Sequence, residues 1–189
     1  MGLESLRKTK ASRVLGIDCS TKSLAYAIFE DGKPIRCGEV FFEGADLYER
    51  LADAHLKIPA MVEAGILKAD YICFESAYLG PNPKVGLSLA YVYGAVMGGL
   101  MDARMKVVTV GPITWQSYIG NPNLKKVEKD QLKLANPGKS ASWYQNAGRE
   151  MRKQRTLAFS RQFFAVESGS DNVGDAIAIA WYAVKNLVR

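Results

Sequence analysis

Histidine is nearly missing from this chain: His55 is the only one in 189 residues. Cysteine is scarce as well. Cys19, Cys37 and Cys73 lie in apolar stretches, and no two have CxxC spacing. A structural zinc centre needs four Cys or His ligands grouped in pairs, so that class is excluded. An odd cysteine count without a leader reads as a reduced, cytoplasmic protein. The opening stretch, MGLESLRKTK, lacks the apolar core of a signal peptide. No apolar run approaches the roughly 20 residues of a membrane span. No repeat or low-complexity segment is visible. The expectation is a chain with no membrane partner and no small-molecule cofactor.

Acid is missing locally. Between Asn121 and Arg161 ten basic residues (Lys125, Lys126, Lys129, Lys133, Lys139, Arg149, Arg152, Lys153, Arg155, Arg161) face three acids, Glu128, Asp130 and Glu150. The whole chain is only +6, so its basic character is gathered in one segment. That is the footprint of a phosphate-binding surface. A solvated loop has the same composition, but Trp143 and Tyr144 within the segment favour contact over solvation.

The hydrophobic pattern gives the elements. Residues 13–19, 23–30 and 35–42 read as three strands, with turn chemistry in DGKP between the last two. Residues 46–67 have helical spacing, and Pro59 predicts a kink or two helices there. His55 falls on this segment as a surface residue. YICFE, residues 71–75, is a fourth strand. Residues 84–105 form a helix rich in Ala, Gly and Met, apolar nearly all round, which predicts burial on more than one side. Its small residues Gly86, Ala90, Gly94, Ala95 and Gly98 permit close approach of another helix. KVVTV, residues 106–110, is a fifth strand, with Pro112 opening a helix. Residues 149–166 and 170–188 close the chain as helices, the last capped by Ser170 or Asp171. The fold class is α/β, a mixed five-stranded sheet with helices on both faces.

Acids recur at the ends of these elements. Asp18 ends the first strand and Glu75 the fourth, and parallel neighbours would bring them to one edge of the sheet. Asp171 and Asp175, four apart, share a face of the last helix. Close carboxylates raise each other's pKa unless a cation relieves them. All-oxygen ligands suit Mg2+, with Mn2+ as a substitute. Asp18 also fits a turn, and Asp171 a simple cap. Asp175 would gain only about 0.3–1 kcal/mol from the helix dipole, and Glu75 is costly in an apolar strand unless paired, so the set together points to a shared site.

Three segments resemble the RuvC-like Holliday-junction resolvases of the RNase H-like superfamily. GIDCSTKSLAYAIFEDGK is similar to their opening motif, with Cys19 where proline is usual. FESAYLGPNPKVGLSLAYVYGA resembles their glutamate motif, including Asn82, Leu89 and Gly94. DNVGDAIAIAWYA is similar to their last helix, whose final aspartate falls on Asp175. The resemblance implies an RNase H-like nuclease domain over 13–189, after a basic tail at 1–12, with a basic insertion at about 121–147. It implies a metal-dependent crossover junction endodeoxyribonuclease, acting in DNA recombination and repair. Paired nicking of branched DNA would leave 5′-phosphate and 3′-hydroxyl ends, assisted by two Mg2+ ions about 3.5–4 Å apart. The implied metal ligands are Asp18, Glu75, Asp175 and either Asp171 or Asn172, the family's acid or histidine position falling on Asn172. Two family lysines map to Gln116 and to Lys153, with Arg152 as a register alternative for the second; Lys153 would balance charge on the phosphate. The resemblance implies DNA contacts at Tyr78, Asn82 and Lys153, with Tyr78 stacking on a base at the junction centre; the basic segment itself adds Lys125, Lys126, Lys129, Arg149, Arg152 and Arg155 as phosphate contacts. The implied assembly is a homodimer through the helix at 84–105.

Three other readings use the same residues. One is another RNase H-like nuclease, cutting RNA–DNA hybrids or flaps and forks. A second is a non-catalytic dimeric DNA-binding protein on the same fold, against which the intact acid set argues. A third, an ATP-using kinase fold, opens with a similar first motif but needs a second domain that this length does not accommodate.

Overall fold

The computed structural model describes residues 12–76, 82–101, 105–167 and 169–188. Its elements run β1 (Val14–Cys19), β2 (Ser23–Glu30), β3 (Lys33–Phe41), α1 (Leu47–Glu63), β4 (Tyr71–Glu75), α2 (Pro83–Leu100), β5 (Lys106–Val110), α3 (Pro112–Tyr118), α4 (Lys126–Ala135), α5 (Ala141–Phe164) and α6 (Asp171–Asn186). The sheet order is β3-β2-β1-β4-β5. The first three strands form an antiparallel meander, and β4 and β5 continue from β1 in parallel. Asp31 and Gly32, both at positive φ, make the tight β2–β3 turn that the DG pair predicts.

Alternation along the strands divides the core. Leu15, Ile17 and Cys19 of β1, with Leu24, Tyr26, Ile72 and Phe74, pack beneath α1 and α2. Val14, Ala25, Ala27 and Cys73 face the other way, against Trp115 of α3, Phe159 of α5 and the apolar side of α6. Gly16 shares this second face. A Cβ there would lie 2.5 Å from both the Ala176 carbonyl oxygen and the Ala180 nitrogen. The absent side chain lets α6 rest directly on β1, and Asp175 immediately precedes that contact.

Three helical expectations need correction. α1 is one helix with Pro59 inside it, which removes the two-helix alternative. Packing against α2, where a Cβ on Gly99 would meet Ile58 at 3.0 Å, holds the segment together despite the missing amide. α2 ends at Leu100 and within one chain buries one side, through Gly86, Val92, Val96 and Leu100. Its outer side exposes Leu87 and Tyr91, and a Cβ on Gly94 or Gly98 would meet nothing. The stretch at 121–147 is largely helical: α4 and the opening of α5, the latter capped by the Ser140 hydroxyl accepting from the Trp143 amide at 3.2 Å. Charged and polar residues dominate α4, which buries no residue completely, so the segment reads as solvated.

Candidate active site

The register brings the strand acids to one face. Ile17 pairs with Phe74, so the chain positions that follow, Asp18 and Glu75, leave the parallel pair side by side. Asp18 also lies opposite Ala25, which lies opposite Glu39 on β3. Asp18, Glu39 and Glu75 have the parity of the α6 face, and α6 lays Asp175 over the same edge.

Electrostatics show how close these groups are. Burial, then the charges of Asp175, Glu75, Asp171 and Glu39, push the Asp18 pKa well above the ordinary carboxylate value. Burial and then the Glu75 charge push Asp175 to about 7, against a hydrogen bond from Thr156 and the charge of Lys153. Burial also raises Glu75, against a hydrogen bond from Trp115 and the nearby Arg152. The Trp115 indole Nε1–H donates to Glu75 Oε2 at 2.7 Å, and the Tyr93 hydroxyl donates to the Glu75 backbone oxygen at 3.0 Å. Trp115 is itself 1% exposed, so Glu75 is held by a rigid donor in the core.

The start of α6 is held from two sides. Lys153 Nζ lies 2.6 Å from Asp171 Oδ2, and the pairing raises the lysine's pKa. Ser170 occupies the cap position but makes no side-chain cap bond. Its hydroxyl instead donates to Glu39 Oε2 at 2.6 Å, and the Asn172 amide donates to Glu39 Oε1 at 2.7 Å. Burial works to raise the Glu39 pKa, but the bonds from Ser170, Asn172 and Ser23 outweigh it and hold the group ionised. Glu39, Trp115 and Thr156 were missed in the sequence. For Glu39 the available signal was its alternation with Cys37 along β3, and for Trp115 its place one turn past Pro112.

Other expected residues fall elsewhere. Asn82 caps α2, accepting from the Lys84 amide at 3.1 Å. Tyr78 lies outside the described residues. Lys125, Lys126 and Lys129 are exposed at the start of α4, and Arg149 is exposed on α5. Arg155 binds Glu128 across the α4–α5 contact, and Arg152 binds Gln116. A cavity of about 180 Å³ lined by Gln116, Asn121, Arg149, Arg152, Thr156 and Asp175 joins the basic helix to the acids. Among the described residues no three acids are drawn together as a closed set around one ion. Like charges at one edge oppose such closure until a cation offsets them.

Sheet order, strand directions and helix placement together define an RNase H-like fold, and within that class a RuvC-like one. The chain is similar to T. thermophilus RuvC in complex with a Holliday junction substrate, at TM-score 0.63 and 14% identity, covering 92% of this chain and 96% of that one. It is likewise similar to a Thermus thermophilus RuvC structure, at TM-score 0.58 and 16% identity over the same shares. No protein-family model and no curated protein sequence matches the chain.

Proposed function

We propose that this protein is a metal-dependent endonuclease that nicks branched DNA, with the four-way junction as its substrate. The observation that carries the reading is the convergence of Asp18, Glu75 and Asp175 on one edge of the sheet, Asp18 raised by both of the others. Like charges gathered at a polar edge and left in mutual repulsion make a poor structural device and a good cation site. The donor set is all oxygen, which fits Mg2+ or Mn2+. Asp18, Glu75 and Asp175 hold the ions. Asp171 is the fourth ligand in preference to Asn172, because it brings a charge, and that charge acts on Asp18. Bound divalent ions supply charge neutralisation at the phosphate and a more acidic water.

The chain's own groups do the rest. Trp115 and Tyr93 fix the direction of Glu75. Glu39 holds Ser170 and Asn172, and so the start of α6, against the sheet. Lys153, kept protonated beside Asp171, stands ready to pair with a phosphate oxygen. Lys125, Lys126, Lys129 and Arg149 are exposed cations that meet the backbone of the strand. The outer face of α2 serves as the seam of a homodimer. Its exposed Leu87 and Tyr91 give apolar area, and Gly94 and Gly98 leave room for a second helix. Two acid sites then face two opposing strands of the junction.

Parallel nicking of a four-way junction, a replication fork, a flap and an RNA–DNA hybrid in Mg2+ tests the substrate. Preferential paired nicks in the junction support the reading. Faster cutting of the hybrid or the flap would assign the same acids to a different RNase H-like activity.

A further inference from the structure

α4 and α5 enclose a groove of about 430 Å³ that the acid site does not use. It is a built feature. Arg155 binds Glu128 at one end of the helix pair, and the Tyr144 hydroxyl donates to the Asn136 carbonyl at the other. The floor is apolar, made by Leu124, Leu132 and Tyr144. Gly148 deepens it, since a Cβ there would press on Leu124 at 3.0 Å. The rim is cationic. Lys129 and Lys133, one turn apart on α4, face Arg149 and Arg152 across the opening, and none of the described lining residues is acidic. Arg149 and Arg152 also line the smaller cavity that reaches Asp175. The groove and the acids are thus two stations on one path. The buried Arg152 Nε has no partner among the described residues, so a donor remains on that path.

An apolar floor beneath a cationic rim matches a nucleotide, with an uncharged flat base and an anionic phosphate. A base paired within a duplex cannot enter such a groove. We propose that the α4–α5 groove receives one unpaired nucleotide of the DNA strand that passes the acid site, base on the floor and phosphate against Lys129, Lys133, Arg149 and Arg152. The proposal rests on the nuclease reading for what delivers the strand. Binding by the groove is measurable without metal or cutting.

The test is binding of the full chain, in chelator, to a thymidine tetranucleotide and to an abasic tetranucleotide carrying the same phosphates. Base stacking predicts that the abasic strand binds about tenfold more weakly. Ala141→Trp and Gln145→Trp each fill the groove from an exposed position on α5 and change no charge. Either variant, with an unchanged melting temperature, should bind the two strands alike, at the wild-type affinity for the abasic one. Equal binding of both strands by the wild type would reduce the groove to a phosphate track and overturn the proposal. A preference for bases that survives both Trp variants would place the base elsewhere and overturn it too. A wild type that discriminates between the strands yet never nicks a junction would instead sink the nuclease reading and leave the groove standing.

Discussion

The two faces of the sheet are made by the same strands and do opposite work. Beneath α1 and α2 every inward residue of β1 is apolar: Leu15, Ile17 and Cys19. On the α6 side the alternate positions begin apolar, with Val14 and Gly16, and finish on Asp18. β4 repeats the pattern, Phe74 buried on one face and Glu75 held by Trp115 on the other. The two-residue period of a strand separates stability from chemistry by a single position. Neighbouring substitutions should therefore have opposite signatures.

The pair Phe74 and Glu75 gives the largest expected contrast. Glu75→Gln should lower Mg2+-dependent nicking by at least about 10³-fold, the scale of several kcal/mol of lost charge stabilisation, with little loss of melting temperature. Phe74→Ala should cost about 3–5 kcal/mol of stability, while the fraction still folded nicks normally. Denaturant melts beside single-turnover nicking separate the two.

Gly16→Val is expected to break the contrast, because Gly16 is where α6 touches the sheet. Overpacking should cost about 1–3 kcal/mol or more. By lifting α6 it should also displace Asp175, so nicking falls even where the protein is fully folded. Normal nicking by folded Gly16→Val would mean that α6 does not set the position of Asp175.

Trp115→Phe sharpens the contrast from within the acid face. It keeps an aromatic in the core but removes the donor to Glu75. Loss of such an orienting bond should reduce nicking about 10–100-fold, with a much smaller change in stability. A weaker Mg2+ dependence of the rate is the accompanying signature.

The smallest effect is in pH. Burial and the Glu75 charge raise Asp175 from an ordinary aspartate value of about 4 to about 7 in the folded state. Below about pH 4 both states hold the proton. Between about pH 4 and 7 the unfolded chain releases it first, so folding loses stability as pH rises, and above 7 the loss is complete. Without divalent ions, Asp175→Asn should therefore melt higher than wild type at pH 8, and the gap should close by pH 5. A constant gap would mean that Asp175 is not held in a repulsive setting. Added Mg2+ should raise the wild-type melting temperature more at pH 8 than at pH 5.

The sequence carried the sheet well. Strand spans, the parallel β1–β4 pair and the placement of Asp18 beside Glu75 were all legible, because apolar runs between turn residues leave few alternatives. The helices were less legible. Pro59 left two helices open where tertiary packing keeps one, and the many charges of α4 read as a solvated segment. The hidden half of the site consists of orienting contacts. Glu39 meets Asn172 across 133 positions of chain, and Trp115 meets Glu75 across 40. Neither residue belongs to a motif, and only the assembled fold brings Glu39 to the start of α6 and Trp115 to Glu75.

The central claim is that the acids of the α6 face cut DNA with divalent ions while other residues bind it. The direct measurement is nicking and affinity of wild type and Asp175→Asn on one synthetic four-way junction, with Mg2+ and with chelator. The account predicts paired nicks from the wild type in Mg2+ only, and an Asp175→Asn protein that binds the junction as tightly but leaves it whole. Nicking at the wild-type rate by Asp175→Asn, or by wild type in chelator, would contradict it.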